Sequence, residues 1–189
     1  MTLQGIYERV VSDLPGVSFN RVKDEVNGLL EDFATRSRSV RYEYEPAVSG
    51  LTYTLPAGTV SLIEVTLFDA SGTDISADFT INFDVEAMSV EIRDYDGSVL
   101  AMFPSNVMKI RLTLAKVPAT VVAPTDVPGI PTRYHGALVN GVLAAILAVK
   151  EPRIAQACEV KYERAVLNAK IHTNMVGSVE RGDDDLVEI

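Results

Sequence analysis

The chain has 189 residues, 47% hydrophobic and 23% charged, a composition that excludes a disordered or fibrous protein. Its one cysteine, Cys158, excludes an internal disulfide and fits a reducing compartment, or a particle assembled in one. The net charge of −9 divides as −1 over residues 1–38, −7 over 39–130, +3 over 131–176 and −4 over 177–189, and the acidic middle and tail argue against tight nucleic-acid binding, which needs a basic patch.

The N-terminal stretch MTLQGIYERVVSDL mixes charge with apolar residues and does not read as a secretory signal. Leu3, Ile6, Tyr7, Val10, Val11 and Leu14 recur at helical spacing, with Thr2 as N-cap and Pro15-Gly16 as the stop. Ser18 caps a second helix, whose stripe is Phe19, Val22, Val26, Leu29, Leu30 and Phe33. The short connection makes the two helices neighbours.

After Ser37 the period changes. Short runs rich in β-branched and aromatic residues follow: VRYEYEP, LTYTLP, TVSLIEVTLF, DFTINF, MSVEIRDY, SVLAMF and VMKIRLTLA. Turn signals such as DASGTD and DYDGS separate them, so an antiparallel sandwich or barrel of roughly six to eight strands is expected. In TVSLIEVTLF, Val60, Leu62 and Ile63 break the alternation and leave the register open. KVPATVVAPTDVPGIP then carries four prolines and reads as a return linker.

Pro131 suits the first turn of a third helix, which is predicted to run to Val149. Its sequence ALVNGVLAAILAV is the most apolar run in the chain, yet shorter than the roughly 20 residues of a membrane span. No membrane span is expected. Leu138, Val139, Val142, Leu143, Ile146 and Val149 make a broad apolar face, and Ala137, Gly141, Ala144 and Ala148 a stripe of small residues. Two readings of that stripe stand together: a central helix packed within its own bundle, and a face packed on a neighbouring subunit. A fourth helix restarts at Glu151-Pro152, with Ile154, Cys158, Tyr162, Ala165 and Ala169 on one face. The tail GSVERGDDDLVEI has no period and is expected to be flexible.

The expected fold is therefore α+β. Residues 1–38 and 131–175 supply two helices each to a four-helix bundle, residues 39–130 form the inserted β-sandwich or barrel with its return linker, and residues 176–189 form an acidic tail.

Pro131, Tyr134-His135, Leu138-Val139, Gly141 and Leu143-Ala144, followed by a helix with Tyr162, Ala165, Ala169 and Lys170, resemble the C-terminal helix pair of bacteriophage head–tail adaptor (connector) proteins. The likeness is closest to the short-tailed phages and spans the architecture of residues 1–175. It implies a structural ring below the portal of a tailed double-stranded DNA phage, dodecameric, with a channel through which DNA passes without specific binding. It also implies the portal and a downstream tail or nozzle protein as partners, and a place at the head–tail junction of the virion after assembly in the host cytoplasm. The tail would then dock on the portal through Asp183, Asp184, Asp185, Leu186, Val187 and Ile189, and Ala137, Gly141, Ala144 and Ala148 would serve subunit or helix packing.

Catalytic signals are weak. Neither His135 nor His172 has an Asp, Glu or Cys three or four residues away on its helix, and Cys158 lies about 21 Å along the helix from His172. DYDGS lacks the acidic residue that closes a calcium loop and reads as a turn; Arg181-Gly182-Asp183 is a coincidental tripeptide. No enzyme, metal or cofactor is expected. The alternative from another class is a non-catalytic β-sandwich module that binds a ligand on a virion or host surface.

Overall fold

The computed structural model describes residues 1–179, with side chains through residue 173. The tail residues 183–187 and 189 expected to dock on a portal lie outside the described residues. The chain is α+β, and two compact units are present, one from residues 1–40 with 117 onward and one from residues 41–116.

The helical unit contains α1 (Leu3–Asp13), α2 (Phe19–Ser37), α3 (His135–Leu147) and α4 (Pro152–Val179). Thr2 Oγ1 accepts from the Gly5 amide and Ser18 Oγ from the Arg21 amide, so both N-caps read from the sequence are made. Leu3, Ile6 and Val10 of α1, and Val22, Val26, Leu30 and Phe33 of α2, enter one core with α3 and α4. Phe33 is fully buried, its ring 5.3 Å from Tyr134 and 6.4 Å from Tyr162. The core-facing row of α4 is Ala155, Cys158, Tyr162, Val166 and Ala169. Ile154 is half exposed rather than on that face, because at 100° per residue it falls well to the side of the row that Cys158 and Tyr162 define.

α3 begins one short turn later than Pro131 suggests, since Thr132–Tyr134 is a 3₁₀ turn, and it ends at Leu147. Val149, expected on the apolar face, lies beyond the helix and is 92% exposed.

Residues 117–130 belong to the helical unit and not to the β insertion. Val121 and Ile130 are core residues there. Asn27 fixes the segment at both backbone groups of Val121, accepting from its amide at 2.8 Å and donating to its carbonyl at 3.0 Å. The segment also serves α1, whose first amides lack partners within the helix: Leu3 N donates to Asp126 O and Gln4 N to Pro124 O. A turn at Pro124-Thr125 presents these carbonyls: the Asp126 amide donates to the Ala123 carbonyl, and the Asp126 carboxylate accepts from the Val122 and Ala123 amides.

The β unit has six strands in two antiparallel three-stranded sheets. One is ordered β1 (Arg41–Tyr44), β6 (Lys109–Lys116), β3 (Thr59–Phe68); the other β2 (Thr52–Thr54), β5 (Ser89–Asp94), β4 (Phe79–Asp84). Ile110, Leu112 and Leu114 of β6 alternate inward and meet Leu67 of β3 and Val90 and Ile92 of β5 in one core. The two sheets do not close into a barrel among the described residues, because no strand pairing joins them. The broken alternation in TVSLIEVTLF has a cause: β3 shifts register against β6 between Thr59 and Ser61 and again between Leu62 and Glu64.

SVLAMF forms no strand. Leu100 and Phe103 lean on the core, Val99 and Met102 are exposed, and Pro104 follows with no amide to give a ladder. DYDGS is a turn with Gly97 at φ +83°, and Asp96 accepts from the Ser98 amide, so that carboxylate already serves the loop's own backbone and is held below the usual carboxylate range by that bond.

Candidate functional site

The small residues of α3 separate into two groups once the helix is in place. Ala137 and Gly141 are buried in the chain's own core. An added Cβ on Gly141 would lie 2.7 and 2.8 Å from the Leu29 methyls and 3.2 Å from Tyr162 Cδ2, so the missing side chain is what lets α2 and α4 close on α3. Ala144 is half-buried and Ala148, just past the helix end, is exposed. With Gly141 and Ala145 these two line an open groove of about 640 Å³, whose other walls come from α2 and α4.

A polar network that sequence reasoning missed stands on the groove's rim. The Tyr162 hydroxyl of α4 donates to Asp32 of α2 at 2.8 Å, with the Leu29 carbonyl oxygen 3.2 Å away. Arg36 Nη1 donates to Asp32 at 3.1 Å and to Glu163 Oε1 at 2.8 Å, and its second nitrogen pairs with the other Glu163 oxygen. This two-pronged pair ties α2 to α4 across 127 residues of chain. Arg36 and Glu163 keep 42% and 45% of their side-chain surface exposed, so solvent screens the pair and its energy is modest. Arg36 holds the Glu163 carboxyl below the usual range, and Glu163 in turn raises the guanidinium. Burial first, and Asp32 second, push the Tyr162 phenol up. Tyr162 is thereby a fixed hydrogen-bond donor, unsuited to giving up its proton. The i, i+4 spacing of Asp32 and Arg36 was readable as a helix-surface pair; their link to Glu163 was not.

The two histidines and the cysteine serve structure or solvent. His135 is 1% exposed, with Nε2 3.0 Å from the Ile130 carbonyl and Nδ1 2.9 Å from the Met1 amine. A ring nitrogen facing a carbonyl must carry the proton, which leaves Nδ1 to accept from the ammonium. His172 is exposed and Cys158 is buried. Among the described residues, no three or more His, Cys, Asp and Glu side chains gather as a metal site would require, and no helix is long and apolar enough to cross a membrane.

An open groove floored by small residues and walled by Asp32, Arg36, Gln156, Glu159 and Glu163 is a surface that suits packing against protein. The SU10 adaptor protein family matches residues 1–182, nearly the whole chain and both units. The chain belongs to the SU10 adaptor family. A comparison with curated proteins returns no match. As an SU10 adaptor the chain has a structural role in a phage particle, the class that the helix pair of α3 and α4 suggested.

Proposed function

We propose that this SU10 adaptor forms a ring, dodecameric as in the head–tail adaptors it resembles, below the portal of a tailed double-stranded DNA phage. The observation that carries the reading is the family match over residues 1–182, and the open groove beside Ala144 and Ala148 supports it. In this reading the four helices make a bundle that forms the ring body, with the small-residue groove taking part in packing between subunits. The β unit is a sandwich, and the excess of acidic groups suits a conduit wall: like charge repels phosphate and lets DNA pass without capture. The portal lies on one side and a tail or nozzle protein on the other. The protein acts as a scaffold, without catalysis, at the head–tail junction, and it reaches the virion from the host cytoplasm where the particle is built.

Portal docking is assigned to the tail. Leu186, Val187 and Ile189 would fill apolar grooves while Asp183, Asp184 and Asp185 select a basic rim. Changing Leu186→Asp with Ile189→Asp is expected to weaken capture by purified portal at least tenfold, read by interferometry, with the far-UV circular dichroism unchanged. Portal capture at wild-type strength would remove the tail from this role.

A further inference from the structure

A second unpartnered surface of the helical unit lies on α4. α4 is 28 residues long, and the face opposite its buried row carries Arg153, Ala157, Val160, Arg164, Leu167 and Ile171. Their spacing alternates four and three residues throughout, which is the seam of a helix that packs along another helix. Nothing in the chain's own core uses it: Val160, Leu167 and Ile171 are 52%, 56% and 43% exposed. Isolated exposed apolar residues are ordinary, but three in register along one long helix mark a contact face. The seam is also basic. Arg153 and Arg164 lie in it and Lys161 flanks it, and among the described residues no ion pair joins any of the three to a carboxylate. Two such seams face to face would set arginine near arginine, so the seam is poorly suited to itself.

A complementary face exists on α2. Asn20, Asp24, Gly28 and Glu31 form an exposed row, about 100° round the helix from Leu29, Asp32 and Arg36, which turn toward α3 and α4. Asp24 keeps 72% of its side-chain surface exposed. Gly28 sits in the middle of a 19-residue helix, where glycine costs about 1 kcal/mol relative to alanine. Its own fold gives no reason for it: an added Cβ would meet nothing within 4 Å. A mid-helix glycine with open space above it, flanked by the exposed Glu31 and by Asp24, whose one ion pair among the described residues is a long 4.0 Å contact with Lys23, is a shallow notch with acidic rims.

We infer that the α4 seam of one copy packs on the α2 row of the next copy, with Val160 over Gly28 and with Arg153 and Arg164 reaching Asp24 and Glu31. Along the helix axes the arginines are about 17 Å apart and the carboxylates about 10 Å, a difference that two arginine side chains span. Joining two unlike faces is a head-to-tail contact, which leaves one free face of each kind at either end and closes only as a ring. This pairing rests on the ring reading above and names the surfaces that make it.

The test is charge reversal in the full chain, with assembly followed by mass photometry alone and on purified portal. Arg153→Glu with Arg164→Glu is expected to raise the concentration needed for assembly at least tenfold, and so is Asp24→Arg with Glu31→Arg. The chain carrying all four changes is expected to recover to within about threefold of wild type, because the attraction is restored with its signs exchanged. All four positions are exposed, and circular dichroism checks that each variant is folded. Without portal, a chain ending at Val179 is expected to assemble like wild type, while its capture by portal is lost with the tail. Wild-type assembly by both charge-reversed pairs, or no recovery in the fourfold variant, would overturn the pairing while leaving the ring intact. Loss of portal-free assembly on truncation at Val179, with no effect of the charge changes, would overturn the pairing and give the seam to the tail instead. A wild-type chain that never assembles, alone or on portal, would end the ring reading and the pairing together.

Discussion

Replacing Phe33 with alanine is expected to destabilise the helical unit by about 4 kcal/mol, the largest loss from any single side chain discussed above. The ring is fully buried and touches the rings of Tyr134, from the turn that opens α3, and Tyr162, from α4. Truncation therefore removes transfer energy, two aromatic contacts and the filling of a space that three elements surround. Because domains of this kind have about 5–15 kcal/mol of total stability, a loss of this size takes a large share of it. Differential scanning calorimetry should show the transition of the helical unit lowered by roughly 15–20 °C. The β unit has its own core around Leu67, Ile92 and Leu112, so a second, unmoved transition is expected to mark it. A shift below 2 °C would mean that Phe33 is not the keystone its burial indicates.

Gly141→Leu is the second. A leucine there must place its Cβ where the Leu29 methyls and the Tyr162 ring already stand, at 2.7, 2.8 and 3.2 Å. Leu29 has some freedom at its tip, but Tyr162 is anchored by its bond to Asp32. The overpacking is expected to cost about 3 kcal/mol, offset by about 1 kcal/mol from the better helix propensity, for a net loss near 2 kcal/mol. Gly141→Ala brings the same Cβ and no more, so the Leu29 methyls must swing aside and the Tyr162 ring must give by a few tenths of an ångström, and its cost and its propensity gain should nearly cancel. Chemical denaturation of the two variants side by side distinguishes the readings of the small stripe. If Gly141 served a neighbouring subunit alone, Gly141→Leu would leave monomer stability unchanged and affect assembly only.

The helices were the most legible part of the sequence because their information is local. Caps at Thr2 and Ser18, stripes on α1 and α2, and the restart at Pro152 all follow from residues within a few positions of one another. Where the outcome depended on distant partners the sequence misled. Ile154 and Ala155 are adjacent and both apolar, and only the pitch set by Cys158 and Tyr162 decides which one enters the core. SVLAMF has strand composition, but composition supplies no neighbour to pair with. The Pro-rich stretch 117–130 looks like a linker until Asn27, 94 residues before Val121 in the chain, is seen to bind it.

The candidate site was legible to the same degree and for the same reason. The small stripe could be read from the spacing of Ala137, Gly141, Ala144 and Ala148, yet its division into a buried half and a groove-lining half needed the positions of α2 and α4. The joining of Arg36 to Glu163 could not have been read, since no local rule relates residues on helices at opposite ends of the chain. The seam on α4 was present in the spelling all along, hidden because the same helix carries a second, buried row and the eye takes one stripe per helix.

The most direct test of the adaptor account is mass photometry of the full chain with and without purified portal from the same phage. The account expects a discrete species, alone or bound to the portal, with a ring mass of about 250 kDa for twelve 20.5-kDa copies. A chain that stays near its monomer mass and leaves the portal's mass unchanged would contradict it.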